Sequence, residues 1–365
     1  MPEDLSYKLE IWQRLKKNRA AFASLVCIFL FFGIALLCYV IAPDNSPNAD
    51  LQTVEIQAMK PGYTQLFLKI PGNKNNPATG INSLFFGRAA DVKYIPITAY
   101  SIANDQLTIK KYVDEDTTIT QIYSIAALTN GHPDKITQHI ISKKYWLGTD
   151  AFGRDILSRI LVGTRVSLSV GIIAVLISLT LGVFLGAIAG YFQGWTDKIV
   201  MWLINITWSI PTLLLVFAVT MAMGKGFWQI FIAVGLTMWI NVARLVRGQV
   251  MGIKELEYVQ AARTMGFTHG RIILRHILPN IAGPLIVLAA GNFATAIIIE
   301  AGLSFLGIGV QPPQPSWGLM IKENYNFILT DNPMLALIPG FAIMLLVLAF
   351  NLLGNGLRDA TDVRN

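Results

Sequence analysis

Charge is what this sequence has least of: Asp, Glu, Lys and Arg make up 14% of its 365 residues, against 53% apolar residues. A soluble globular domain carries about a quarter charged residues, so the composition argues against one. Cysteine is scarcer still. Cys27 and Cys38 both fall within one apolar run, which excludes a disulfide framework and a cysteine-rich zinc site. Two cysteines that far apart on one straight helix cannot be bridged either. The four histidines, His132, His139, His269 and His276, form no HExxH or other close ligand pair and read as polar surface residues. No GxSxG elbow occurs, and no pair of carboxylates lies inside the apolar runs, as an intramembrane hydrolase would require. The formal charge of +7 comes with no basic stripe interleaved with aromatics, so nucleic acid is not an expected partner.

A phosphate loop is also missing. Gly148 to Asp155, GTDAFGRD, has the spacing of GxxxxGK(S/T), but Arg154 replaces the lysine and Asp155 the magnesium-binding hydroxyl. A carboxylate would face the phosphates, so no ATP site is expected in this chain.

What the sequence does have is long apolar runs. Six lie near 20–42, 166–190, 199–223, 227–243, 281–299 and 335–353. Each supplies the roughly 18–25 residues that cross a bilayer core as a helix. The expectation is an all-α polytopic membrane protein with six transmembrane helices. Lys16, Lys17 and Arg19 precede the first run, which is long for a signal peptide and has no small-residue cleavage site before Pro43; it reads as a retained anchor. Basic residues cluster in the tail 1–19, in the connection 244–280 and at Arg358 and Arg364, which assigns both termini and that connection to the cytoplasm. Arg154, Arg159 and Arg165 conflict with this scheme, standing before the second run on its outer side, partly offset by Asp150 and Asp155.

The segment 43–145 is polar and external in the same scheme. Apolar and polar residues alternate over 64–70, 106–113 and 118–125, with a turn-rich stretch at 71–80, so a small β-rich insertion is expected between the first and second spans. Within the second span Ser178, Gly182, Gly186 and Gly190 recur every four residues, a stripe on which another helix can pack closely. Pro211, Pro284 and Pro339 lie in spans and predict kinks.

The connection 244–280 is more than a tether. The stretch 254–265 reads as a short helix with Leu256, Val259, Ala262 and Met265 along one side. Gly266 can take the left-handed conformation that ends it, Thr268 can cap a second short helix, and Leu278-Pro279 would stop that helix at the membrane. Such an elbow suits a partner's groove or a bed of lipid headgroups, and periodicity alone leaves both open.

The segment EYVQAARTMGFTHGRIILRHILPN, 257–280, resembles the EAA loop of ABC importer permeases. Ala261, Ala262, Gly266, Leu278 and Pro279 match in register. Gln260 stands at the glutamate position and His276 at the isoleucine position; Glu257, one turn earlier, is the candidate for the acidic function. WLGTDAFGRDILSR at 146–159, EAGLSFLGIGVQPPQPSWG at 300–318 and NLLGNGLRD at 351–359 resemble the dipeptide/oligopeptide/nickel group of these permeases. The resemblance covers the first span and most of 146–365, whereas the segment 43–145 is longer than is usual for the group.

What this resemblance implies is a type I importer architecture in a bacterial inner membrane. A second, related permease would complete the pathway, two ATP-binding cassette domains would carry the ATP and magnesium, and an external binding protein would deliver the solute. Glu257, Gln260, Ala261, Ala262, Arg263, Gly266, Leu278 and Pro279 would couple this chain to the ATPase, with the two alanines allowing close approach. The solute would be a peptide, a nickel chelate or a related small molecule. An exporter or channel subunit, and an intramembrane enzyme, are the competing classes. Glu300, with Ser304, is a candidate for the pathway or gate, against an interfacial carboxylate that is hydrated or bonded to backbone. Trp317, after Pro312, Pro313 and Pro315, reads as an interfacial anchor.

Overall fold

The computed structural model describes residues 3–72, 81–88, 92–129, 133–224, 226–330 and 332–361. His132, Arg364 and most of the turn-rich stretch 71–80 lie outside them. In chain order the elements are α1 (Glu3–Lys17), α2 (Arg19–Ile41), β1 (Tyr63–Pro71), α3 (Ile81–Phe86), β2 (Val92–Ala103), β3 (Gln106–Tyr112), β4 (Thr118–Ser124), α4 (Ile125–Leu128) and β5 (Ile140–Tyr145). There follow α5 (Ile156–Phe192), α6 (Gly194–Trp208), α7 (Thr212–Met223), α8 (Phe227–Lys254), α9 (Glu257–Thr264), α10 (His269–Ile272), α11 (Ala282–Phe305), α12 (Trp317–Asn324) and α13 (Met334–Thr361). The chain is mostly helical. Two compact units divide it: a helical unit of residues up to 32, 166–311 and from 341 onward, and a sheet unit of 33–165 and 312–340.

Among the described residues five helices are long and apolar enough to cross a membrane: Arg19–Ile41, Ile156–Phe192, Phe227–Lys254, His269–Phe305 and Met334–Thr361. The third expected span is not one straight helix. It is α6 and α7, bent by 94° at a break that contains Pro211. Proline lacks the N–H that would continue the ladder and clashes with the carbonyl four residues back, so the apolar run breaks there. Counted as one crossing, the bent pair makes a sixth span. Pro339, in contrast, is accommodated inside α13.

In the helical unit the small-residue stripe of α5 packs on α8. A Cβ on Gly182 would stand 2.4 Å from Val242, one on Gly186 2.5 Å from the Ala243 carbonyl oxygen, and one on Gly190 2.7 Å from that of Arg247. The contacts advance together along both helices, so α5 and α8 run in the same direction. Ser178, fully buried, turns its hydroxyl onto the Val175 carbonyl. Gly186→Leu is therefore expected to force the helices apart, an overpacking that costs about 1–3 kcal/mol or more where backbone is struck. Gly252→Leu, at a helix position with nothing within 4 Å, is the matched control. Thermal stability of the two purified variants checks this, and equal melting would disprove the close approach. One apolar cluster of the unit joins Val170, Val216, Phe231, Val234, Ala296 and Leu303 from α5, α7, α8 and α11.

In the sheet unit five antiparallel strands take the order β4-β3-β2-β1-β5. Leu68, Ile95, Ile97, Leu107 and Ile109 form one apolar cluster with Ile125, Leu128 and Ile136, and Phe67, Tyr112 and Tyr145 form another with Ile56. Cys38 is fully buried beside Ala42, Leu161 and Val162, a packing residue rather than a lipid-facing one.

The unit also holds a buried ion-pair network that local pattern does not reveal. Asp150, fully buried, accepts from the Phe152 and Arg154 backbone N–H groups at 2.9 and 3.0 Å and from Arg154 Nε at 2.6 Å. Arg154 Nη2 and Arg159 Nη2 both donate to Glu323 Oε2, at 2.5 and 3.0 Å. Two guanidiniums thus meet two carboxylates inside the protein. Arg154 and Arg159 have no free charge to offer a membrane surface, which removes most of the conflict with the charge-based orientation. The GTDAFGRD loop closes on its own carboxylate, with the Phe152 and Arg154 amides directed at Asp150 instead of outward. Gly153, at φ +71°, sits so close to the Thr53 carbonyl that a Cβ would stand 1.8 Å from it. Trp317 is not an interfacial anchor: it is fully buried at the start of α12, against Gly163, with Nε1 donating to the Ile160 carbonyl at 3.2 Å. Ser316 caps that helix through Leu319 N–H.

Candidate functional site

The connection from α8 to α11 is a folded elbow built on the helical unit. The stretch 254–265 is not one helix. α8 runs on to Lys254, the chain turns at Glu255 and Leu256, and α9 begins at Glu257. Gln260 explains part of this turn: its Nε2 donates to the Lys254 carbonyl at 3.0 Å, satisfying one of the acceptors left open at the end of α8. A glutamate carboxylate there could not donate, so the departure at this position has a local use.

α9 ends in a Schellman motif. Gly266 N–H bonds the Arg263 carbonyl at 3.0 Å and Phe267 N–H bonds the Ala262 carbonyl at 3.2 Å, with Gly266 at φ +78°. Phe267 packs in the same cluster as Ala262, the apolar contact that accompanies such an end. No atom lies within 4 Å of where a Gly266 Cβ would be, so the elbow is not crowded and its demand is for a backbone conformation alone. Thr268 occupies the cap position of α10 with extended backbone but makes no side-chain capping bond.

Past α10 the chain does not stop at Pro279. A π-helical turn, Ile273–Ile277, and a 3-10 turn, Leu278–Ile281, carry it into α11, with Pro279 in the first positions of the 3-10 turn. Proline is tolerated there because the first N–H groups of a helical segment have no intrahelical acceptor. The bend is therefore a change of helical pitch.

The inner side of the elbow is fixed. Val259, Ala262, Ile272, Ile277 and Ile281 are buried with Val246 and Val250 of α8 and with Ala187 and Tyr191 of α5. Tyr191 hydroxyl and His269 Nδ1 lie 2.9 Å apart, His276 stacks on Phe267, and Asn280 Nδ2 donates to Tyr258 hydroxyl at 3.1 Å. Arg247 of α8 pairs with Asp197 of α6 through two bonds, Nη2 to Oδ2 at 2.6 Å. The outer side presents Glu257, Ala261 and Arg263 with four large apolar residues, Leu256, Tyr258, Met265 and Leu274. The expected apolar side of 254–265 is thus divided: Val259 and Ala262 face in, and Leu256 and Met265 face out. The two alanines differ in the same way, with Ala262 buried in this chain's own core and only Ala261 open to approach.

Glu300 and Ser304 are elsewhere in the helical unit, on α11, and both are fully buried. Glu300 is not a hydrated interfacial residue. The Ser304 hydroxyl donates to its Oε1 at 2.6 Å and accepts from Val310 N–H at 3.0 Å, just past a second glycine-ended helix turn at Gly307. Among the described residues no group of three or more His, Cys, Asp or Glu could hold a metal ion.

Residues 182–364 match the family described as the binding-protein-dependent transport system inner membrane component, and residues 6–57 match the N-terminal TM domain of oligopeptide transport permease C. The chain is 45% identical over 221 residues to the glutathione transport system permease protein GsiD of Pectobacterium atrosepticum, 60% of this chain and 73% of that one. It is 44% identical over 221 residues to the dipeptide transport system permease protein DppC of Alkalihalophilus pseudofirmus, 60% of this chain and 72% of that one. Among solved structures, an inward-facing MetNI methionine ABC transporter chain is similar at 18% identity and a TM-score of 0.46, over 55% of this chain and 95% of that one.

Proposed function

The chain belongs to the family of binding-protein-dependent transport system inner membrane components, and from that membership we propose which solute, partners and orientation this permease subunit of an ABC importer has. The solute is a short peptide. The relatives named for dipeptide, oligopeptide and glutathione transport support this reading. Cells lacking this chain are expected to lose uptake of a labelled dipeptide; retained dipeptide uptake with loss of another solute would remove the peptide reading.

The observation that carries the coupling role is the elbow itself, rigid on its inner side and apolar on its outer side. Leu256, Tyr258, Met265 and Leu274 form a ridge fit for the groove of an ATPase, while Glu257 and Arg263 set its polar edge. Gly266, Leu278 and Pro279 shape the elbow, Gln260 holds its first turn, Ala261 lets the partner approach, and Ala262 seats it. Because its inner residues share a cluster with α5 and α8, a push on the ridge moves both helices as one body. ATP and magnesium belong to the partner ATPases, a second permease completes the pathway, and an external binding protein delivers the solute. Glu300 and Ser304 act by fixing the turn after α11 rather than by touching solute.

Six spans, with both termini and the elbow inside and the sheet unit outside, fit this role. The shared direction of α5 and α8 supports it: two parallel spans need one net crossing between them, which the bent α6–α7 pair supplies. The basic end of α1 and the basic elbow support the same side for both. Cysteines at Asn104, in the turn between β2 and β3, and at Met265 are expected to label from opposite sides with an impermeant reagent, over a background of the two native cysteines in α2. Equal labelling from one side would sink the topology.

A further inference from the structure

Between α6 and α8 the helical unit has an open groove of about 370 Å³, lined by Trp208, Asn241, Arg244, Leu245, Gly248 and Gln249. Asn241, Gly248 and Gln249 are exposed and lie on the side of α8 turned away from α5, which packs on Val242, Ala243 and Val246. Arg244 is the groove's charged residue. Its guanidinium lies 3.7 Å from the centroid of the Trp208 ring. Among the described residues it makes no ion pair, whereas Arg247, one turn further along α8, is neutralised by Asp197. An aromatic face attracts a cation but accepts no conventional hydrogen bond, so the guanidinium donors stay open. Arg244 Nε is shut in without an acceptor, but the residue is part-exposed, so the terminal nitrogens are the ones that meet the groove.

The groove lies deep. The first turn of α6 carries Trp195, exposed, with Lys198 Nζ 5.3 Å from its ring centroid, beside the pair of Asp197 and Arg247. Tryptophan and lysine at the end of a span mark the membrane surface. Trp208 stands eleven residues beyond Asp197 on α6, about 16 Å at the rise of a helix. A bilayer core is about 30 Å thick, so the guanidinium on the Trp208 ring is held near its middle. A cation at that depth is costly against lipid tails and faces the bundle interior or a water-filled cavity. Lipid phosphates sit outside the core and do not reach it. The groove's exposed amides, Asn241 and Gln249, suit water in the same way.

We propose that this groove opens onto the water-filled route through the transporter and that Arg244 gives the route its charge preference. Anionic groups of a passing solute are drawn to the guanidinium, and cationic groups are repelled by it. Trp208 holds the guanidinium by its flat face and leaves its N–H edge free to donate. The inference rests on the permease role of the chain and not on which solute it carries.

The test uses the complete transporter in lipid nanodiscs, where reagents reach both membrane faces, with Cys27→Ala and Cys38→Ala as background. Asn241→Cys is the reporter, and Gln249→Cys is a second one in the same groove. Each is treated with 2-sulfonatoethyl methanethiosulfonate or with its trimethylammonium counterpart, and the mass of this chain follows the adduct. Both reagents are expected to react. A unit charge about 4 Å away changes the local concentration of an ion about fivefold in bulk water, in opposite senses for the two reagents. Arg244→Met, which keeps an apolar stem over Trp208, should therefore lower the sulfonate-to-trimethylammonium rate ratio by about tenfold or more. Arg244→Lys should preserve it. The ratio is read within one protein, so any change in thiol reactivity shared by both reagents cancels. Failure of both reagents at both positions would put lipid or a partner helix over the groove and overturn the proposal. A ratio unchanged in Arg244→Met would overturn it as well.

Discussion

Asp150→Ala is expected to leave little stable protein in the membrane. The side chain is fully buried and serves two backbone amides and the Arg154 guanidinium, with Arg159 Nε at 3.5 Å. Its removal leaves two buried guanidiniums facing the single carboxylate of Glu323. Breaking a buried pair by deleting one partner costs about 3–5 kcal/mol, because the remaining charge stays in a medium that solvates it poorly. A domain's whole stability is about 5–15 kcal/mol, so one substitution consumes much of it. Asp150→Asn should be milder, because the amide oxygen still accepts from the backbone while the charge is lost. Melting temperature and steady-state amount in membranes check the series. An Asp150→Ala chain that melts like the wild type would show that the network contributes nothing to folding.

Gly266→Val is expected to abolish transport while the chain still inserts. A β-branched residue at φ +78° is strained by about 1–2 kcal/mol, and the Schellman bonds that close α9 depend on that conformation. Open space around the position means that strain is the whole effect, so residues can be ranked by backbone tolerance alone. Gly266→Asn should retain most transport, Gly266→Ala should fall between, and valine should be worst. The complex carrying valine should lose ATPase subunits or hydrolyse ATP without moving solute. If the elbow instead rested on lipid headgroups, all three would behave alike. Normal transport and ATPase association in the valine variant would therefore return the segment to an interfacial helix.

The helices were legible because a span is a local property: eighteen or more apolar residues announce themselves within one window. So was Gly266, because a helix end needs the left-handed conformation at one identifiable residue. The α5 stripe was legible for a related reason, since four-residue spacing fixes a face whatever packs on it. Other features depended on contacts that no window contains. Glu323 lies 169 residues from Arg154, and nothing near either residue signals the pairing. Trp317 has the sequence neighbourhood of an interfacial anchor, yet the gap left by Gly163 buries it. In the elbow, local rules named the right residues with the wrong division, because the burial of Val259 and Ala262 follows from α5 and α8. Pro279 departs from expectation for the opposite reason, a purely local one. Proline stops a regular helix, but the 3-10 turn Leu278–Ile281 takes it in its first positions, where it displaces no hydrogen bond.

The long separation within the ion-pair network also imposes an order of events during synthesis. Arg159 leaves the ribosome 164 residues before Glu323. At 5–20 residues per second this is an interval of about 8–30 s. Through that interval Asp150 holds Arg154 without Glu323, while the helices from α5 to α11 are already being made. The ion-pair network therefore cannot close before α12 arrives, although all five strands of the sheet are made by then. That late completion leaves Arg154 and Arg159 without their second carboxylate until α12 is made, near the end of translation.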